Sequence, residues 1–435
     1  MKGNIFLQNY ENGVKFSGYA RILKKRDFGK ISFWKTRFRE NEVQILIQEG
    51  VTVDFQQTKI IKLGSLIFFE GERVETKTGE PSILVSLVRV EREGCDVLRN
   101  KLSGINHLGR NSNRVLDMIA VKNLFDYLSL VSDLTGAARN FLRLKNFREF
   151  NTGILQEYFE GGQATPFKTQ CKANGKTLYL SLTSELKLKR LIVAGFENVY
   201  EISQSFRNEG IDRMHLPEFS LLEFYSVDKN YTDMMNLLEE MLLEILFKIL
   251  GKSILLKGAN IINFKPPFSR MTFDEACLDF LGISGADCAI ELLEKIFPEI
   301  FNDRMDEFTW VMKLVDKIFA PNFINPTFLT DVPSGVSPFA KRRYNDEKLS
   351  ETSFLIIGGI NVATISTDEN DVEKVSKFLA EQSFKIGRSI NEDYLEILKF
   401  GIPETAGVGF GINRFTMLFQ EGDVSARETC VFPIF

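Results

Sequence analysis

Histidine and cysteine are scarce in this sequence, with two and five residues among 435, and no two cysteines are spaced as a CxxC pair. A zinc site built from those side chains is therefore not expected. Cys95, Cys171, Cys277, Cys288 and Cys430 read as free thiols of a reducing compartment. Long apolar runs are lacking too. The most apolar segment, Met234 to Leu250, is broken by Glu239, Glu240, Glu244 and Lys248 at helical intervals. That spacing describes an amphipathic helix, not a membrane span. Asn4 and Gln8 interrupt the first apolar residues, so neither a signal peptide nor a transit peptide is read there and a cytoplasmic protein is expected. There is no GxxxxGK, no GxGxxG after a strand and no GxSxG, which removes the phosphate-loop, dinucleotide-fold and serine-elbow chemistries. The net charge of −4 favours no partner as a whole, so any nucleic-acid surface has to be local.

What is present begins with length, which is too great for one compact core and points to two domains. Between Val14 and Val90, short β-prone runs (Val14–Tyr19, Lys30–Trp34, Val43–Ile47, Ser65–Glu70 and Ile83–Val90) are separated by polar turns. Five short strands in under a hundred residues suggest a small barrel of the oligonucleotide-binding kind. Lys15, Arg21, Lys24, Lys25, Arg26, Lys30, Lys35, Arg37 and Arg39 crowd its first half, interleaved with Phe28, Phe33 and Trp34. Charges that track phosphates beside rings that stack bases suit single-stranded nucleic acid. The competing reading is a solvated basic face with the rings in the core. Beyond a polar stretch ending near Arg114, helical segments (Val115–Leu130, Tyr231–Leu250, Val372–Glu381) alternate with strand-like ones (Asn198–Ser205, Phe219–Val227, Phe354–Ile360, Val408–Gly411). This is an α+β pattern around a sheet. Phenylalanine, at 39 residues, is in excess, and we read that excess as compositional bias.

The chemistry concentrates in residues 199–225, where two strand-like runs flank a polar loop. Side chains two apart share a face of a strand, so Arg207 with Glu209, and Glu223 with Tyr225, are expected to line one cavity. A structural salt-bridge network is the plainer alternative.

These residues carry a resemblance. Phe206-Arg-Asn-Glu-Gly-Ile211, followed by His215 and Pro217-Glu-Phe219, resembles motif 2 of class II aminoacyl-tRNA synthetases of the lysine, aspartate and asparagine subgroup. Gly407-Val-Gly-Phe-Gly-Ile-Asn-Arg414 resembles motif 3, and Arg427 through Pro433 the tail after it. Gly161-Gly162, Thr165-Pro-Phe167, Val336-Ser-Pro338 and Lys341-Arg-Arg343 are similar to further family segments, and nearly the whole chain is covered in the family's order. Glu185, in Ser184-Glu-Leu-Lys-Leu-Lys-Arg-Leu191, stands where lysine enzymes carry Glu and the others Gln. An ammonium group only donates, so a pocket selecting it needs carboxylates or a phenol.

The resemblance implies a five-stranded OB-fold anticodon-binding barrel over 1–95, a linker over 96–114, and a class II antiparallel-sheet catalytic domain over 115–435 with a helical insertion at about 253–331. It implies ATP-dependent activation of lysine as an adenylate and transfer to the 3′ end of tRNA(Lys), by a homodimer. By the same resemblance Arg207 would bridge the lysine carboxylate and the α-phosphate, and Arg414 would hold the outer phosphates. Phe219 would stack on adenine, and Glu209 and His215 would seat the nucleotide. Gly162, Glu185, Glu209, Glu223, Tyr225, Asp368 and Gly411 would form the lysine site. Lys24, Lys25, Arg26, Phe33 and Arg37 are the candidate tRNA contacts.

Departures from the family pattern are equally specific. Phe354 and Asn361 occupy the positions of two magnesium-holding glutamates, so magnesium is implied by the family and unsupported by these residues. Met214 replaces a phosphate-binding arginine, with Arg213 one place earlier. Asn413 replaces an acidic residue, Thr364 an asparagine, Asp368 a glutamate, and Gly153 the proline that defines motif 1. The alternative function is a degenerate relative that binds tRNA or lysine without forming adenylate. A lysine ligase acting on a protein ranks below both, because such relatives lack the barrel.

Overall fold

The computed structural model describes residues 5–103, 113–158, 164–258, 260–302, 305–386, 392–420, 422 and 425–434. Its contacts divide the chain into two compact units, Met1–Asp126 and Tyr127–Phe435.

The first unit is a closed barrel of β1 (Lys15–Phe28), β2 (Ile31–Phe38), β3 (Asn41–Gln48), β4 (Leu66–Glu75) and β5 (Pro81–Arg92), in the order β1-β2-β3-β5-β4. The five expected strands are all there, and longer than expected. β1 in particular runs on through the basic cluster to Phe28, because only one of its faces needs to be apolar. Ala20, Ile22, Trp34, Phe38, Ile45, Ile67, Phe69 and Ile83 alternate inward and fill the barrel. Closure pairs every strand, which leaves no open edge for another chain to extend. The segment read as a linker carries a helix at Asp96–Leu102, and a second follows at Arg114–Ala120. The helix expected over Val115–Leu130 is interrupted at Val121, whose extended backbone (φ −100°, ψ 102°) separates it from a helix starting at Lys122.

The second unit is built on an eight-stranded sheet. Its strands are β6 (Arg148–Glu149), β7 (Asn198–Phe206), β8 (Glu218–Val227), β9 (Ser269–Thr272), β10 (Thr327–Thr330), β11 (Thr352–Ile357), β12 (Ile360–Thr367) and β13 (Thr405–Gly411). They lie in the order β9-β10-β11-β12-β13-β8-β7-β6, antiparallel except at the two edge pairs. The run Phe354–Ile360, read as one strand, is the end of β11 plus a tight turn. Gly358 and Gly359 both take positive φ (55° and 81°), as a two-residue hairpin requires. The segment read as a helical insertion also supplies β9 and β10, since short strands flanked by helices carry too few residues to show a period of two.

One sheet face is covered by the helix Tyr231–Leu250, capped at its start by the reciprocal Asn230–Asp233 bonds and at its end by Gly251 in the left-handed region. Met234, Leu238, Leu242 and Ile245 bury against Leu222, Phe224, Val408 and Phe410. The opposite face of the central strands forms the floor of a cleft. At the far edge, Phe354 and Ile356 are sealed under the helices Phe273–Leu281 and Glu307–Leu314. No helix among the described residues is long and apolar enough to cross a membrane.

Trp34 is fully enclosed, whereas Phe28 is 67% exposed on the same barrel. Trp34→Ala is expected to cost ~3–5 kcal/mol in urea denaturation, and Phe28→Ala to stay within ~0.5 kcal/mol of the parent. Equal losses at both positions would contradict this assignment of core and surface.

Candidate active site and nucleic-acid face

Strand register sets the floor of the cleft. Glu201, Glu223, Gly409, Thr364, Phe354 and Leu329 face one another in a line across five paired strand contacts. Two carboxylates directly opposite on neighbouring strands repel, and each is compensated differently. Glu201 accepts from Thr152 N (3.0 Å) and Thr152 Oγ1 (2.6 Å). Glu223 accepts from Ser184 N and Ser184 Oγ (both 2.5 Å) and from the Thr183 hydroxyl. Burial still pushes the Glu223 carboxyl above its ordinary value, against those hydrogen bonds. Glu223 and Tyr225 share the cleft face of β8, as expected from their spacing.

Arg207 and Glu209 do not share a strand face, because β7 stops at Phe206. They belong to the loop that follows, where Glu209 N bonds Arg207 O at 3.0 Å. Glu209 Oε1 accepts from Thr165 N at 3.2 Å, and Asn208 N bonds Thr165 O at 2.8 Å, so this loop clamps the Thr165-Pro-Phe167 segment. Gly162 lies outside the described residues.

Two guanidinium groups converge here. Arg207 lies 5.1 Å over the Phe219 ring, and its Nε is buried without a hydrogen-bond partner. Burial and the nearby positive charge of Arg414 both disfavour its proton, with Glu209 and Glu223 opposing. Arg414 donates to Asn361 O (3.1 Å) and to His215 Nε2 (2.9 Å). Arginine has no acceptor, so His215 Nε2 must be the acceptor and Nδ1 carries the proton toward Asp212, 2.9 Å away. Burial works against the Asp212 carboxylate, yet the bonds from His215 and from Met214 N hold it below its usual range. Asp316, from a π-helical turn at Val315–Phe319, is pushed up by burial while Arg414 and His215 pull it down. Nothing in the motif spacing pointed to Asp316.

At the other end, the helix Glu185–Val193 brings Glu185 to the pocket. Lys189, one turn later, is 1% exposed, with Nζ 2.7 Å from Glu185 Oε1 and 2.8 Å from Asp368 Oδ1. Tyr225 and Phe339 lie 5.5 and 5.2 Å from the same nitrogen. Burial pushes the Asp368 carboxyl up to about 6 even though Lys189 pulls it down. Lys189 was not singled out by sequence, and its i,i+4 offset from Glu185 was the available signal.

The alternate glycines of β13 strip side chains from the floor. A Cβ on Gly407 would overlap the Tyr225 ring, whereas one on Gly409 would reach only to 3.8 Å from Glu223 Oε1. A Cβ on Gly411 would meet Arg414 Cβ and Val362 O at 3.5 Å, an ordinary contact.

The positions of the family's magnesium glutamates do not fit a metal. Phe354 offers no ligand atom and sits in an apolar cluster. Asn361 is buried and offers a neutral amide where the family has a carboxylate, and its main-chain oxygen accepts from Arg414. Among the described residues no group of three or more His, Cys, Asp or Glu side chains converges as a metal site. Two other departures have structural reasons. Asn413 accepts from Ser220 N (2.6 Å) and donates to Thr429 Oγ1 (2.7 Å), tying β8 to the C-terminal segment, which a carboxylate cannot do in both senses. Gly153 takes φ 82°, which proline cannot adopt.

Comparison with known proteins fits this architecture. The model of class II tRNA synthetases (D, K and N) matches residues 107–435. The lysine–tRNA ligase of Dehalococcoides mccartyi strain CBDB1 is 34% identical over 441 residues, covering 97% of this chain and 86% of the relative. That of Buchnera aphidicola subsp. Schizaphis graminum is 32% identical over 452 residues, covering 98% and 89%. Lysine–tRNA ligase 2 of Methanosarcina acetivorans is 32% identical over 438 residues, covering 97% and 85%. The chain belongs to the class II lysine–tRNA ligase family. Its barrel and antiparallel sheet are the OB-fold and catalytic architecture expected of that family.

On the family's barrel, the basic cluster divides by face. Register sets Lys24 opposite Lys35 and Arg26 opposite Phe33, and Phe28 meets Phe33 edge-on at 5.9 Å. Lys24, Arg26, Phe28 and Lys35 are exposed and Phe33 half-buried, forming a cationic, aromatic face. Two of the expected contacts, Lys25 and Arg37, are engaged within this unit. Lys25 Nζ lies 2.8 Å from Ile61 O and 3.3 Å from Lys59 O, capping a loop of the barrel itself. Arg37 is held by Met118 O at 2.7 Å and by the Phe125 ring at 4.3 Å. Trp34 belongs to the core, where its Nε1 donates to Ser32 Oγ at 2.6 Å.

Gly407→Ala is expected to lower stability by roughly 1–3 kcal/mol through overpacking against Tyr225. Gly409→Ala should remain within ~0.5 kcal/mol of the parent. Thermal denaturation of both variants checks this, and a tolerated Gly407→Ala would refute the close approach of ring and backbone.

Proposed function

We propose that this protein activates lysine with ATP to lysyl-adenylate and transfers the lysyl group to the 3′ end of tRNA(Lys). The observation that carries this reading is the polarity of the cleft. Two convergent guanidiniums stand at one end, with Arg207 Nε unpartnered. Glu185, Glu223, Asp368 and Tyr225 gather at the other. An amino acid with a cationic side chain fits such a cleft in one sense only, its carboxylate toward the arginines.

The two reacting groups are both anions, so catalysis consists of aligning them and offsetting their repulsion. Arg207 is suited to bridge the lysine carboxylate and the α-phosphate, since its fork binds both bidentately. Attack of a carboxylate oxygen on the α-phosphorus then expels pyrophosphate. Arg414, oriented by His215 and Asp212, is suited to the outer phosphates, and Phe219 to the adenine. Glu223 is suited, with Tyr225 and Asp368, to the substrate's ammonium side chain beside the glycine-lined floor. No step is routed through magnesium, because Phe354 and Asn361 supply no carboxylate for it. The same reading takes the Lys24, Arg26, Phe28 and Phe33 face as the anticodon-loop contact, since unstacked loop bases suit exposed rings. It also takes the protein as a cytoplasmic homodimer, as its class implies.

Lysine-dependent ATP–pyrophosphate exchange, run across a magnesium titration with other amino acids as controls, is expected to respond to lysine alone. Arg207→Ala is expected to lower kcat by about a hundredfold or more, the scale for losing one preorganised donor in a transition state. Absence of lysine-dependent exchange at every magnesium concentration, in protein that still binds tRNA, would falsify the adenylation reading. On the barrel, Phe33→Ala is expected to weaken tRNA binding by ~1–3 kcal/mol in filter binding, with Arg37→Lys near parental affinity. The reverse order would remove the proposed face.

A further inference from the structure

Among the described residues Lys189 is the one cation held wholly inside the carboxylate end of the cleft, and neither motif comparison nor the reaction above gives it a task. It is not surface charge: a buried ammonium persists only where it is paired. Its two partners are two of the carboxylates of the proposed lysine pocket, each engaged through one oxygen, Glu185 Oε1 at 2.7 Å and Asp368 Oδ1 at 2.8 Å. Asp368 Oδ1 meets Lys189 as an ion pair, Asp368 Oδ2 is buried without any partner, and the Glu185 side chain stays 21% exposed. Each carboxylate therefore keeps one oxygen uncommitted.

We propose that Lys189 is a positioning residue for lysine recognition: bridging Glu185 and Asp368, it keeps both carboxylates ionised and spaced, with their remaining oxygens free for the substrate ammonium. The trio then carries one net negative charge, which one incoming ammonium cancels. Without Lys189, two carboxylates crowd in a low-dielectric site and share a proton, and that proton closes the gap the ammonium has to enter. The proposal rests on the lysine-binding reading above.

The other groups facing the trio do not replace Lys189. Glu223 and Tyr225 face it from β8, and Tyr394 from the helix Glu392–Leu398; Tyr225 and Tyr394 titrate well above the usual phenol range through burial. Arg190, on the same helix as Lys189, pairs with Asp393 at 2.9 Å. The sign of the pH dependence follows. Ammonium binding is favoured by ionised Asp368, so lysine affinity in the native protein is expected to fall as pH drops through about 6. Removing Lys189 leaves the burial that raises Asp368 and takes away the charge that lowers it, so the fall must begin at higher pH.

The test is lysine affinity by isothermal titration calorimetry, from below that midpoint up to about pH 9, still under the ordinary lysine side-chain value. Lys189→Gln is expected to raise the midpoint by at least about one pH unit, a tenfold change in proton affinity, with affinity recovering at the alkaline end. Lys189→Arg should keep the native midpoint. Lys189→Gln/Asp368→Asn removes both charges, is expected to fold where the single variant fails, and should show no midpoint in this range. A Lys189→Gln protein that is weaker by one factor at every pH, or a double variant that retains the midpoint, overturns the proposal and leaves a packing role. Pyrophosphate exchange on the same samples separates the two readings. Lysine binding with the shifted midpoint but no exchange overturns adenylation alone, and exchange with an unmoved midpoint overturns the role of Lys189 alone. A native protein that binds no lysine overturns both.

Discussion

Charge buried on a β-sheet floor has to be compensated within hydrogen-bonding reach, and the second unit is organised around that requirement. Glu201 and Glu223 sit opposite one another on β7 and β8. Each is tolerated because a separate segment, Thr152 for one and Thr183-Ser184 for the other, arrives with donors. Those segments are thereby pinned to the sheet, and the second delivers the helix that carries Glu185 and Lys189. The anionic end of the cleft is a consequence of satisfying one buried carboxylate.

The cationic end follows the same logic with a different outcome. Asp212 orients His215, which fixes which ring nitrogen Arg414 can reach. Arg207 is left without a partner for Nε. Like charges brought together and left partly unpaired are costly in the free protein and favourable once an anion enters. The loss of carboxylates at the positions of Phe354 and Asn361 fits this arrangement. Phe354 is packed into the apolar cluster at that edge, and the cations of this end of the cleft are Arg207 and Arg414.

Much of the architecture was legible beforehand, for physical reasons that differ by element. The barrel strands and the helix Tyr231–Leu250 announce themselves because one face of each must be apolar, which imprints a period of two or of 3.6 on the chain. Arg207, Glu223, Tyr225 and Arg414 stood out because their neighbours are constrained, notably the glycines at alternate positions of β13. By composition Lys25, Arg37 and Trp34 read like Lys24, Arg26 and Phe33, yet the first two bond within their own unit and Trp34 is enclosed. Composition counts basic and aromatic residues without saying which face of a strand each occupies.

The sequence by itself determined the family, the two-unit order, the strand count of the barrel and the residue types of the cleft, all of which depend on local pattern and on motif spacing. Only the tertiary structure decided how those residues are used. Whether Lys25 meets solvent or a loop carbonyl depends on register and closure of the barrel. Whether Gly407 is needed depends on where the Tyr225 ring lies. Whether Lys189 is a surface charge or the counter-ion of two pocket carboxylates depends on where Asp368, 179 residues further along the chain, comes to rest. Each of these is a contact between residues distant in sequence, and pattern within one segment carries no information about it.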